Sequence, residues 1–248
     1  MKIKIINPNT SKEMTDVLRD YARPRIDDSI ELQFTNPTSG PDSIESFADE
    51  YLAIPGVLEE VVKGEIDEVD AYVIACFGDP GLFAAREITE KPVVGIAEAA
   101  MYVARMVAPN FSIIDVLERS KFLMKEVLKI YNMDEYCLSI RTTELGVHGG
   151  KMDGCSEYDE IEKLCRVAIE EDRCESIVLG CAGYIEYAED LSKALSIPVI
   201  EGVLPAIKFA ISLVELNYKN SKIISYKFPE PKNIMGYDTI DNYLKTKL

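Results

Sequence analysis

Residues 71–81 read Ala71-Tyr-Val-Ile-Ala-Cys76-Phe-Gly-Asp-Pro-Gly81: an apolar run, a cysteine, and a Gly/Pro turn. A continuous apolar run of this length is how a buried parallel strand is written. Asp-Pro-Gly stops it, and the pattern from about Leu82 predicts a helix. A cysteine at the carboxyl end of a strand and just ahead of a helix occupies the place where open α/β sheets put their reactive groups. Backbone N–H groups and the helix dipole favour a thiolate there, so the reading predicts a thiol pKa below the ordinary ~8.5. Residues 176–183, Ser176-Ile-Val-Leu-Gly-Cys181-Ala-Gly183, repeat strand, cysteine, small residue and glycine 105 positions later.

Outward from these two stretches, strands and helices alternate. Strand 2–6 ends in the turn Asn7-Pro8-Asn9, and a helix follows to about residue 21, with Thr10 and Glu13 as a capping box. Strand 30–34, a turn-rich loop 36–43, a helix opening near Ser43, a helix 52–63 and strand 70–75 lead to Cys76. Helix 82–89, strand 92–96 and helix 97–107 complete the first half. The pattern restarts with strand 111–114, helix 119–130, strand 137–142, a glycine-rich loop 146–154 and helix 157–171. It continues through strand 176–180, helix 187–195, a strand near 197–200 and helix 204–216. Pro92 and Pro198 stand 106 apart, close to the spacing of the cysteines. This predicts α/β architecture: two pseudo-symmetric doubly wound domains with parallel sheets and an interdomain active-site cleft. The expected units are residues 1–98 plus 205–248, and residues 99–204. Each half ends in an apolar helix expected to cross to the other half, and the tail 219–248 is expected to return to the first.

The 248 residues carry a formal charge of −16, which argues against nucleic acid or an anionic membrane as partner. The acidity reads as solubility, and a small-molecule substrate is the expected partner. No run is long and apolar enough to span a membrane, and the opening residues are too short an apolar region for a signal peptide, so a cytoplasmic location is expected. Six cysteines with no C-x-x-C pair, and a single histidine, argue against a disulfide framework and a structural zinc. Neither metal nor cofactor is expected. Free cysteine is commonly a core residue, and Cys137, Cys165 and Cys174 are read that way. Cys155 reads as an exposed structural residue, and His148 as a solvated loop side chain that could otherwise activate a thiol.

Cys76 and Cys181 read differently because their contexts match. Two opposed thiols suit removal of a proton from one face of a carbon and its return from the other. The carbon must be acidified by a carbonyl, and the oxyanion that develops needs donors. Backbone N–H groups of Phe77, Gly78 and Asp79, and of Ala182 and Gly183, lie where such donors are needed. Asn9 reads as a turn residue or as a substrate ligand; both stay open.

Ile6-Asn-Pro-Asn-Thr-Ser11, Gly40-Pro-Asp-Ser-Ile-Glu45, Ala75-Cys-Phe-Gly-Asp-Pro-Gly81, Arg86-Glu87, Pro92-Val-Val-Gly-Ile-Ala-Glu98, Leu179-Gly-Cys-Ala-Gly183 and Pro198-Val-Ile-Glu-Gly202 resemble the aspartate/glutamate/hydantoin racemase superfamily. Within it they resemble the hydantoin and allantoin racemases. The resemblance implies cofactor-independent two-base racemisation on Cys76 and Cys181. It also implies that Asn9, Ser43 and the backbone around 77–79 and 182–183 hold the substrate, and that the chain is a homo-oligomer. The chain departs from the pattern where Asp115-Val116 replaces two threonines, Tyr184 a methionine, and Glu201 an aspartate. Asp115 at the cleft would repel anions and pair with an amide N–H or an ammonium group. The alternatives are an amino-acid racemase or a cysteine-dependent isomerase or decarboxylase of the same superfamily, and a two-lobed binding protein without chemistry.

Overall fold

The computed structural model describes residues 1–146 and 156–247; His148 and Cys155 lie outside them. The first half runs β1 (Lys2–Ile6), α1 (Lys12–Ala22), β2 (Glu31–Thr35), α2 (Phe47–Ile66), β3 (Ala71–Ile74), α3 (Leu82–Ile88), β4 (Val93–Gly95) and α4 (Ile96–Val107). The second runs β5 (Phe111–Asp115), α5 (Ser120–Ile130), β6 (Cys137–Thr142), α6 (Glu157–Val167), β7 (Ile177–Leu179), α7 (Ala188–Leu195), β8 (Val199–Ile200) and α8 (Val203–Glu215). A final helix, α9 (Asp238–Lys245), follows the repeat.

The strands form two parallel sheets ordered β2-β1-β3-β4 and β6-β5-β7-β8, the same topology twice. The central strands β1, β3, β5 and β7 are almost entirely buried. Their Val/Ile-rich runs fit that burial on both faces. Two charged residues are buried in them: Asp115 at the end of β5, and Lys4 in β1 with its Nζ 2.9 Å from Glu60 Oε2.

The apolar last helix of each half leaves its own sheet: α4 packs on β7 and β8, and α8 packs on β1, β3 and β4. The two helices also pack on each other. They start so close together that a Cβ at Gly202 would collide with the Ile96 carbonyl, so only glycine fits there. The tail returns to the first half, where Asn220 Nδ2 donates to the Thr89 and Lys91 carbonyls and Tyr243 Oη to Glu65 and the Ile88 carbonyl.

Two helix starts differ from the sequence expectation. Ser11, not Thr10, caps α1: its Oγ accepts the Met14 N–H at 3.2 Å, because the Thr10 N–H is drawn to the Pro41 carbonyl at 2.9 Å. The helix expected near Ser43 and the one expected at 52–63 are one helix, α2, capped by Ser46. Pro55 lies inside it, losing one backbone bond without ending it.

Candidate active site

In a parallel sheet ordered 2-1-3-4 the connections leave β1 and β3 toward opposite faces, opening a crevice at their carboxyl ends. The second sheet has the equivalent crevice between β5 and β7. Asn9 follows β1 and Cys76 follows β3; Asp115 ends β5 and Cys181 follows β7. Both cysteines line one cavity of about 70 Å³. Its apolar wall comes from Met14, Ile44, Phe77, Val116, Leu123 and Met124.

Each sulfur is cradled by the backbone two residues ahead. The Gly183 N–H donates to Cys181 Sγ at 3.3 Å, and the Gly78 N–H bonds Cys76 in the same way. In the structure, then, both N–H groups bond sulfur. The expected low thiol pKa is not what burial produces: desolvation pushes Cys76 and Cys181 each up to about 12, against the pull of those N–H groups. Cys76 is partly open to the cavity but sits deep in the protein, and a charged Cys181 beside it raises it further. Cys181 precedes a 3-10 turn, Ala182–Tyr187, too short and irregular to supply a helix dipole.

Asn9 lines the cavity with Oδ1 already accepting from Asn7 Nδ2 at 2.8 Å and the Ser11 N–H at 2.9 Å. Its Nδ2 rests on Met14 Sδ, and one amide hydrogen is left to offer a ligand. Asp115 is buried and bonded to the Val116 N–H at 2.8 Å and Ser120 Oγ at 2.6 Å, yet burial still lifts it to about 6. Its charge in turn raises Cys181.

Three expected site residues do not line this cavity. Ser43 bonds Glu45 at 3.4 Å, and the next three residues of that loop, Ile44, Glu45 and Ser46, form the wall instead. Gly183 faces a neighbouring cavity bounded by Met14, Ala75 and Ala182, which the two share. Asp79 is an anchor. Its N–H closes the turn onto the Cys76 carbonyl at 2.9 Å, with φ +47°, a strained region for a non-glycine residue. Its carboxylate accepts from the Ala97 N–H at 3.1 Å, the Glu98 N–H at 2.9 Å and Tyr131 Oη at 2.6 Å. It thus caps α4 from a distance and ties the Cys76 turn to the end of α5; burial raises it to about 7.

The other two departures in sequence are also structural. Glu201 accepts the Val203 and Leu204 N–H groups at the start of α8, as Asp79 does for α4. Tyr184 is buried with its hydroxyl 2.8 Å from Thr143 Oγ1. Sequence reasoning missed Glu50, in the first turn of α2, which lines the cavity beside Cys76 and Gly78 and is raised by burial to about 7. Correct placement of the Ser46 cap, in Ser46-Phe-Ala-Asp49, was the signal that would have phased it. Among the described residues no three of His, Cys, Asp and Glu group to hold a metal ion, and no helix is long and apolar enough to cross a membrane.

Twin parallel α/β halves with a thiol at each matching strand end, both on one cavity, define a class: pseudo-symmetric paired-cysteine proteins of the racemase fold. Residues 3–210 match the model of the Asp/Glu/Hydantoin racemase family. A hydantoin racemase of Pseudomonas sp. (strain NS671) is 48% identical over 236 residues, covering 95% of each chain. The allantoin racemase structure from Klebsiella pneumoniae superposes with a TM-score of 0.91 at 40% identity, over 96% of this chain and 98% of that one. An arylmalonate decarboxylase structure, at 16% identity and TM-score 0.61 over 86% and 92%, shares the fold. The chain belongs to the Asp/Glu/hydantoin racemase family. It is an isomerase of the racemase type.

Proposed function

We propose that this racemase inverts a carbon alpha to a carbonyl in a neutral ring amide, a 5-substituted hydantoin or allantoin, with Cys76 and Cys181 as its acid–base pair. The observation that carries the reading is the cavity's composition. It holds two thiols and the carboxylates Glu45, Glu50 and Asp115, with no Lys, Arg or His among the described lining residues. An aspartate or glutamate substrate brings carboxylates that call for charge-assisted donors; a neutral ring does not. The hydantoin and allantoin racemases among the relatives are consistent with the same substrate class.

One cysteine, as thiolate, takes the C–H proton. An S–H bond forms and the C–H electron pair moves into the adjacent carbonyl as an enolate. The other cysteine, as thiol, gives its proton to the opposite face of the carbon and is left as thiolate. The product is the mirror image, and the two sulfurs have exchanged roles. Phe77 and Ala182 supply the oxyanion donors: their backbone N–H groups are not engaged in the turn bonds that occupy Gly78, Asp79 and Gly183. Asn9 Nδ2 holds a ring carbonyl.

The test is proton NMR of L- and D-5-substituted hydantoins and of allantoin with the protein in D2O. The C5–H signal should vanish faster than in a protein-free control, and Cys76→Ser or Cys181→Ser should abolish inversion. No exchange with any ring substrate would remove the ring-amide reading.

A further inference from the structure

We propose that Glu50 accepts an N–H of the substrate ring, and so makes the site select rings with a free amide N–H over N-substituted ones. This rests on the ring-amide reading above. Two buried acids in and beside the site are already engaged. Asp115 is spent on Val116 and Ser120, and Asp79 on α4 and Tyr131. Glu50 differs: among the described residues its carboxylate takes no hydrogen bond and no ion pair, and burial is the one influence on its titration. It nevertheless stands in the cavity wall, where a Cβ built on Gly78 would meet Glu50 Oε1 and Leu123 Cδ2 at 3.5 Å each.

A partly buried carboxylate with apolar neighbours and no donor is unfavourable as it stands. A ligand with an N–H relieves that; a ligand with a carboxylate worsens it. Position supplies the rest. Glu50 lies against the same turn whose Gly78 N–H cradles the Cys76 sulfur, so the thiol and the carboxylate address the same side of a bound molecule. In a hydantoin the acidic carbon and a ring nitrogen are bonded neighbours. When Cys76 meets the C–H, Glu50 meets the N–H. Glu50 is then a substrate-orienting residue; it takes no proton from carbon.

The experiment measures KM and kcat for wild type, Glu50→Gln and Glu50→Ala with three forms of one 5-substituted hydantoin: unmethylated, N1-methyl and N3-methyl. A hydrogen bond to a charged acceptor predicts KM for the unmethylated ring to rise about tenfold or more in Glu50→Ala, with a smaller change in kcat. With the N1-methyl ring, whose methyl replaces the N–H next to the acidic carbon, variant and wild type should share the same KM, whereas the N3-methyl ring should keep the penalty. Gln keeps an uncharged acceptor and should fall between. An equal penalty on all three rings would make Glu50 structural, and no penalty on any would leave it without a role; either overturns the proposal. Because the rings are compared within one variant, partial loss of folded protein scales kcat alike and leaves the KM pattern readable. If the wild type exchanges no ring proton at all, the ring-amide reading fails first, which is a separate outcome.

Discussion

Glu201 is expected to make the protein less stable as the pH rises. Its carboxylate is buried at the start of α8, and burial lifts it from the ordinary 4.5 to about 7 even though two backbone N–H groups pull the other way. An acid whose pKa is raised by folding holds a proton that the unfolded chain has already released. Its contribution is therefore present below the unfolded pKa and lost as pH climbs through the folded one. At ~1.36 kcal/mol for each pH unit of displacement, that loss amounts to about 2 kcal/mol between roughly pH 5.5 and pH 8. Glu201→Gln keeps an oxygen for the Val203 and Leu204 N–H groups and does not titrate. The assay is urea unfolding of both proteins at the two pH values. The stability of wild type minus that of the variant should fall by about 2 kcal/mol from the acid to the alkaline condition. A difference that stays flat would mean that the N–H pair holds Glu201 ionised and that burial does not dominate it.

Because burial raises both thiols to about 12, the thiolate fraction, and with it kcat/KM for ring racemisation, should climb about tenfold per pH unit between roughly pH 8 and pH 10. A plateau already at pH 8 would show that the occupied site lowers a thiol that the empty one raises. Tyr131→Phe removes the 2.6 Å bond to the buried Asp79 carboxylate. It should cost about 1.5–3 kcal/mol in denaturant unfolding and lower kcat/KM by loosening the Cys76 turn. A stability loss no larger than that of an exposed Tyr→Phe change would show that Asp79 is held by α4 alone.

The alternation of short apolar strands with amphipathic helices was readable because buried parallel strands and surface helices have different periods. The matched spacing of Cys76 and Cys181 carried the twofold plan. What escaped the reading depended on contacts far apart in sequence. Thr10 looked like a cap until its N–H met Pro41, and Asp79 looked like a backbone donor until its N–H closed the turn onto the Cys76 carbonyl. Phe77, Gly78 and Gly183 looked alike as donors, but two of the three point at sulfur. The thiol pKa went the opposite way from the prediction because local sequence shows a helix start and does not show depth. Glu50 escaped for a related reason: the Ser46 cap could have placed it on the helix, but a glutamate in a first turn reads as solvated, and the Gly78 turn that it faces belongs to another element.

The exchange of α4 and α8 between the sheets has a consequence for synthesis. Strands β1 to β4 are complete once residue 95 has been made, but the helix covering β1, β3 and β4 spans residues 203–215. The nascent first sheet must therefore leave the ribosome with the β1, β3 and β4 part of one face uncovered, α1 lying over β2. At roughly 5–20 residues per second, that face waits several seconds or more for its cover. The second sheet, coming later, finds α4 already made. The long sequence separation of the first half's closing contacts makes the arrival of α8 the expected slow step in refolding of the whole chain.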